Sequence, residues 1–294
     1  MTNRLRRAGA VALGLALATS AVACSAPATP AGESKGTITL GFIPSWTDGR
    51  STAHLLAHHL EEWGYTVEME ELSEPGPLYA GLAKGDVDIY PSAWPEGTHK
   101  SFMDRYSADV EDLGAYYDNA KLTWAVPEYS QMRSIEDVAG MADVLDRRII
   151  GIEPGAGLTK ASAESVIPQY GLDDFTLVTS STTAMLAELK KATDQNNEIV
   201  VTLWRPFWAN SAFGMRDLDD PKGALGEAEA LHFLARDGFA DDHPDLAAWI
   251  GKIKMNDEQY GSLEDTVVNQ FDEGQEAQAV EQWLKDNPKV LPEK

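Results

Sequence analysis

The sequence predicts an α/β protein built as two lobes with a ligand cleft between them. Strand and helix patterns alternate from about Thr37, and the alternation starts afresh near residue 148. A chain of 294 residues with 43% hydrophobic content can bury one large core or two ordinary ones. Two α/β units in succession are the expected result.

Each element has a local signature. "TITLGFI" alternates as a strand, and "STAHLLAHHLEEWG" carries apolar residues at helical spacing, with Ser51 as the expected N-cap and Gly64 just past its end. "YTVEMEEL" is the next strand, "GPLYAGLAKG" a short helix and "VDIYPSAW" a buried strand. This β-α-β-α-β run favours a largely parallel sheet covered by helices. "LTWAVPEY" is a further strand ending at Pro127, and Ser134 starts a helix in "SIEDVAGMADVL". The pattern then restarts: strand, glycine turn and helix in "RRIIGIEPGAGLTKASAESVIPQYG", a strand in "FTLVTS", a helix in "STTAMLAELKKATDQ" and a strand in "EIVVTLW". After "EALHFLARDGF" the chain is helical in "HPDLAAWIGKI", "NDEQYGSLEDTVVNQF" and "QEAQAVEQWLKDN".

The N-terminus reads as an export signal. Residues 1 to 23 combine a basic start at Arg4, Arg6 and Arg7 with an apolar, Ala-rich run too short for a convincing membrane span. Cys24 is the only cysteine, so no disulfide framework exists, and its place after "AVA" resembles a bacterial lipobox, where the cysteine becomes the lipidated first residue. "SAPATPAGESKG" then reads as a flexible tether over residues 24–36. The expected location is therefore the extracytoplasmic face of the cell membrane, with a lipid anchor through Cys24.

A formal charge of −23 makes the surface anionic, so nucleic acid and acidic lipid are repelled over most of it, whereas a cationic or zwitterionic small ligand is not. Catalytic and cofactor motifs are weak. His54 and His58 share a helix face at a spacing that can hold a metal, but Leu55 follows the first histidine where zincins place glutamate, and no metal is expected. "GAG" at 155–157 could turn backbone N–H groups toward an anion, yet it lacks the dinucleotide fingerprint and the Walker lysine, and no cofactor is expected. No nucleophile elbow is present. An enzyme is not expected; a secreted hydrolase and an adhesive surface protein are the alternatives from other classes.

The aromatics are more informative. In "VVTLWRPFWAN" two tryptophans and a phenylalanine surround an arginine and a proline at a strand end, where core packing and a ligand wall are both open readings. Trp46, Trp94, Trp204 and Trp208 all lie at strand ends or in the following loops, which line the cleft in parallel α/β sheets. Trp63, Trp249 and Trp283 read as packing on helices, and Trp124 is ambiguous. Several indole faces around one point suit a methylated ammonium, each contact being worth roughly 1–2 kcal/mol when desolvated.

The ordered motifs "SAWPEGTHKSF", "SIEDVAG", "GIEPGAGL", "TLWRPFWA", "DPKGALGEAEALH" and "ARDGFADDHP" resemble the substrate-binding proteins of ABC importers for glycine betaine, proline betaine and choline, from about residue 37 to the C-terminus. The resemblance implies a type II periplasmic-binding-protein fold, with lobe one formed by residues 37–125 and 230–294 and lobe two by residues 126–229. It implies a monomer that captures a quaternary ammonium osmolyte, glycine betaine or a related betaine, and hands it to an ABC permease. Trp94 and Trp204 match walls of the family's aromatic cage. Trp46 is the candidate third wall from its place in the first loop, with Ser45 beside it. Family members commonly read W-x-P-H-W where this chain has Phe207, which leaves room for choline, carnitine or another quaternary amine. The rings are expected to line an open cleft.

Overall fold

The computed structural model describes residues 34–293; the export signal, Cys24 and most of the tether lie outside them. In the first half, β1 (Thr37–Phe42) leads into α1 (Thr47–Glu62), β2 (Thr66–Glu71) into α2 (Pro75–Lys84), and β3 (Ile89–Ala93) into α3 (Lys100–Tyr106). A long strand, β4 (Val110–Pro127), carries the chain into the second half. There β5 (Arg148–Ile150), α4 (Gly157–Ala161), α5 (Ile167–Gln169), β6 (Thr176–Val178), α6 (Thr182–Asp194), β7 (Val201–Arg205), α7 (Ala209–Ala212) and β8 (Met215–Asp217) follow in order. The return strand β9 (Glu229–Arg236) leads to the helices α8 (Phe239–Asp242), α9 (Pro244–Ile250), α10 (Asp257–Asp265) and α11 (Glu276–Asp286). Among the described residues no helix is long and apolar enough to cross a membrane.

The strands run in the order β2-β1-β3-β9-β4-β7-β5-β6, with β8 also on β4. The sheet has two sections that share one strand: β4 pairs with β9 from Val110 to Ala120 and with β7 from Lys121 to Ala125. Within each section the consecutive α/β strands are parallel, β1 with β2 and β3, and β5 with β6 and β7. The expectation of a largely parallel sheet holds only there. β4 and β9 join antiparallel because each carries the chain from one section to the other, so its polarity opposes the strands it meets. The long strand begins twelve residues before the apolar run that sequence periodicity marks, because "VEDLGAYYDNAK" mixes polar and aromatic residues and is bulged at three register shifts.

Two helix starts differ from expectation. α1 begins at Thr47, with Trp46 at the N-cap, and Ser51 is buried inside the helix. Asp48 in the first turn complements the positive end of the helix and extends it one turn upstream. Ser134 does cap a helix, its hydroxyl accepting from Glu136 N–H while Asp137 accepts from Ser134 N–H, but the helix is a short 3-10 turn over Ile135–Met141. Gly85 closes α2 in the left-handed region at φ 75°, the usual αL stop.

Candidate functional site

Three of the sequence-predicted residues converge. Trp46 stands at the N-cap of α1, Trp94 directly follows the wholly buried β3, and Trp204 lies near the end of β7, opposite Leu122 of β4. All three line one cavity together with Asp48, Thr98, His99, Leu122 and the residues Ala156 to Leu158. The Trp46 and Trp204 rings are 6.3 Å apart at 58°, and Trp46 lies nearly parallel to His99 at 6.3 Å. The cavity between these walls is small, about 30 Å³. A larger groove, lined by Glu96, Asp104, Glu164, Glu227 and Glu229 with two lysines, opens beside it and shares Thr98, Leu122 and Gly157.

The expectation of an open cleft is not met: Trp94 and Trp204 are each only 5% exposed. The reason is close approach between the two sections. A Cβ on Gly157 would stand 2.2 Å from the Thr98 carbonyl oxygen, so only glycine lets the start of α4 meet the "PEGTH" loop. That loop is fixed from behind. Glu229 at the start of β9 accepts from the Gly97 and Thr98 N–H groups, both at 2.9 Å, and from the Thr98 hydroxyl.

The remaining two sequence-predicted residues lie one layer out. Phe207 stacks on the outer face of Trp204 at 4.0 Å and 19°, is buried, and does not line the cavity. Ser45 turns its hydroxyl to Glu153, at 3.0 Å, rather than into the cavity. Arg205 is spent on a two-toothed ion pair with Asp217 and does not line the cavity. In "VVTLWRPFWAN", then, Trp204 faces the cavity and Phe207 belongs to the packing behind it.

Sequence reading missed the polar residues of the site. Asp48 is 3% exposed, its Oδ2 accepts from Ser92 Oγ at 3.4 Å, and its Oδ1 has no partner among the described residues. Burial pushes its carboxyl up to about 6, against the opposing pull of the Gly49 N–H and the Trp204 indole N–H. Behind it Glu264 of α10, also buried, accepts from Thr47 Oγ1 at 2.6 Å; burial and the neighbouring Asp48 push it up to about 8. His99 accepts the Trp94 N–H at Nδ1, 3.1 Å away, with the Tyr79 hydroxyl on the same nitrogen. That assigns its proton to Nε2, and burial holds the ring neutral by lowering its pKa to about 3. Glu153, after β5, accepts from the Trp46 indole N–H at 3.0 Å. The available signals were "WTD", an acid two residues after a candidate wall, and the histidine that closes "WPEGTH".

The weaker motifs resolve locally. Gly155 of "GAG" donates its N–H to Glu74 Oε2 at 3.0 Å, so the anion it faces is a side chain of the protein itself. His54 packs edge-on to Phe42, its pKa lowered by burial to about 4, and His58 lies 3.7 Å from Glu62. Among the described residues no group of three or more metal-ligating side chains is assembled. Trp124 is fully buried and donates to Ser162 Oγ at 2.9 Å, which makes it core.

Comparison with known proteins matches this arrangement. The family profile for the substrate binding domain of ABC-type glycine betaine transport systems, OpuAC, matches residues 36–286. The glycine betaine/carnitine transport binding protein GbuC of Listeria monocytogenes is 35% identical over 153 residues, 50% of this chain and 49% of that protein, so the match spans about half the length of that relative. The structure of lactococcal OpuAC in its closed-liganded conformation with glycine betaine superposes with a TM-score of 0.79 at 29% identity, over 87% of this chain and 97% of that one. A choline-binding protein of an ABC transporter, in complex with choline, gives 0.77 at 25% identity, over 86% of this chain and 89% of that one. The fold is thus the two-lobe α/β fold of type II periplasmic binding proteins, and the chain belongs to the family of substrate-binding domains of ABC-type glycine betaine transport systems.

Proposed function

We propose that the protein is an extracytoplasmic solute-binding lipoprotein that captures a quaternary ammonium compound in the cage of Trp46, Trp94 and Trp204 and delivers it to an ABC permease. The observation that carries this reading is three indoles from three separate segments lining one cavity that also holds a buried carboxyl group. A trimethylammonium group sheds water cheaply and is attracted to indole faces, and an anionic wall adds to that attraction. Lobe one is assigned to residues 37–125 with 230–294 and lobe two to 126–229, and the protein acts as a monomer tethered through Cys24.

Asp48 favours a second reading of the ligand's far end. An ionised carboxylate on the wall opposes a ligand carboxylate and accepts from a hydroxyl, so choline or another amine without a carboxylate suits the cavity as long as Asp48 is charged. A betaine suits it with Asp48 protonated, its carboxylate taking the N–H of the neutral His99. A thermal-shift panel of glycine betaine, choline and carnitine, with glycine and ethanolamine as unmethylated controls, tests the proposal. Quaternary compounds should raise the melting temperature in proportion to occupancy while the controls do not. A panel in which no quaternary amine shifts the melt removes the reading.

A further inference from the structure

Glu153 is a buried carboxylate held entirely by neutral donors. Oε1 accepts from Ser45 Oγ at 3.0 Å and Thr182 N at 2.8 Å, and Oε2 from the Trp46 indole at 3.0 Å and Thr182 Oγ1 at 2.7 Å. Thr182 is the first residue of α6, so the charge also rests on that helix's positive end. Ser45 and Trp46 lie between β1 and α1 in one sheet section, whereas Glu153 and Thr182 belong to the other. One side chain therefore bridges the two sections and ends on a cage wall.

We propose that Glu153 is the positioning residue of the cage: it fixes the Trp46 ring against the opposite section and lends its negative charge to the ring face that meets the cation. The inference rests on the cage reading above. A hydrogen bond from indole N–H to carboxylate is charge-assisted and directional, so it selects one rotation of the ring. It also draws the N–H dipole toward the anion and leaves the π face more negative, which strengthens attraction of a cation on that face. Because the bond spans the two sections, ordering Trp46 for the ligand and bringing the sections together become one event.

The test uses calorimetry with tetramethylammonium, choline and glycine betaine on wild type, Glu153→Gln, Glu153→Asp, Trp46→Phe and the Glu153→Gln/Trp46→Phe double variant, alongside tryptophan emission. Glu153→Gln should weaken all three ligands alike, by about tenfold or more, the range for loss of a hydrogen bond to a charged group. Its emission should shift as one indole loses its anionic partner. Glu153→Asp, which keeps the charge but is one methylene short of reaching both Trp46 and Thr182, should fall between, and it serves if the Gln variant does not fold. In the Trp46→Phe background, where no N–H remains, Glu153→Gln should cost less than about threefold more. Wild-type binding with unchanged affinity and emission in both Glu153 variants overturns the proposal alone, as does a full second loss in the double variant. Wild-type protein that binds none of the three probes overturns the cage reading and this proposal with it.

Discussion

Trp46 of the proposed cage is distinguished from the tryptophans of the core by what its N–H group faces. Trp124, Trp249 and Trp283 donate to neutral oxygens, the Ser162 hydroxyl, the Pro292 carbonyl and the Ser262 hydroxyl, at 2.8–2.9 Å. Trp46 donates to the Glu153 carboxylate. Trp94 and Trp204 are almost as buried as Trp249 and Trp283, so exposure does not separate the two sets. A buried carboxylate is costly to keep charged and contributes little to a core that a hydroxyl would satisfy equally well. Placing one behind a ring makes physical sense where that ring must attract a cation.

The largest expected effects break this comparison at a pair of residues. Trp204→Ala should cost about 2–4 kcal/mol of quaternary amine binding, the range for a strong anchor. Since Trp204 is buried against Phe207, it should also lower stability, contrary to what an open cleft would imply. Trp124→Ala should cost about 3–5 kcal/mol of stability, with no loss of affinity in the fraction that remains folded. Calorimetry paired with denaturant melts on both variants reads the four numbers. Equal affinity losses in the two would erase the distinction between cage and core.

How far the sequence reveals this depends on range. The α/β units were legible because each is written in local periodicity, and Trp46, Trp94 and Trp204 because each follows or ends a strand whose pattern is clear. β9 and the first half of β4 escaped because an antiparallel return strand takes its identity from partners more than a hundred residues away, as Ala120 does from Glu229. Glu153 and Glu264 escaped for the same reason: their roles are set by donors from Ser45, Trp46 and Thr47, far off in the chain. Phe207 shows the converse. A motif match places it near the ligand, but three residues after Trp204 the chain has already turned behind the ring.

A smaller effect sharpens the comparison through pH. Glu264, with a folded pKa of about 8 against an ordinary 4.5, keeps a proton that the unfolded chain releases. Its contribution is fully present below pH 4.5 and is lost as pH rises toward 8, by about 1.4 kcal/mol per unit at the steepest. His54 and His99 have lowered values and act in the opposite direction, mostly below their ordinary 6.5 and fading above it. Between pH 6.5 and 8 the protein without ligand should therefore lose about 1 kcal/mol of stability. Glu264→Gln should remove most of that slope. His232, raised by its hydrogen bond to Asp112, adds a fall of the same sign that the variant leaves in place. Denaturant midpoints at several pH values decide it, and a slope that Glu264→Gln leaves unchanged would show that Glu264 is ionised in the folded protein throughout.

The smallest effect on binding is expected at Phe207, and it tests whether neighbours in sequence can sit on opposite sides of the division between cage and core. If the position served a ligand carboxylate, Phe207→His would strengthen glycine betaine relative to choline. In the structure the ring lies flat against the outer face of Trp204, buried, with its backbone carbonyl accepting from Asn210 Nδ2 at 2.9 Å. An imidazole there meets the indole rather than the cavity. The ratio of glycine betaine to choline affinity should stay within about threefold, the scale of a substitution that makes no direct contact. Stability should fall by about 1–3 kcal/mol, because a buried imidazole leaves polar nitrogens unpaired. A selective gain for glycine betaine of tenfold or more would mean that the side chain reaches the ligand, and the boundary between cage and packing would then have to be redrawn on the far side of Trp204.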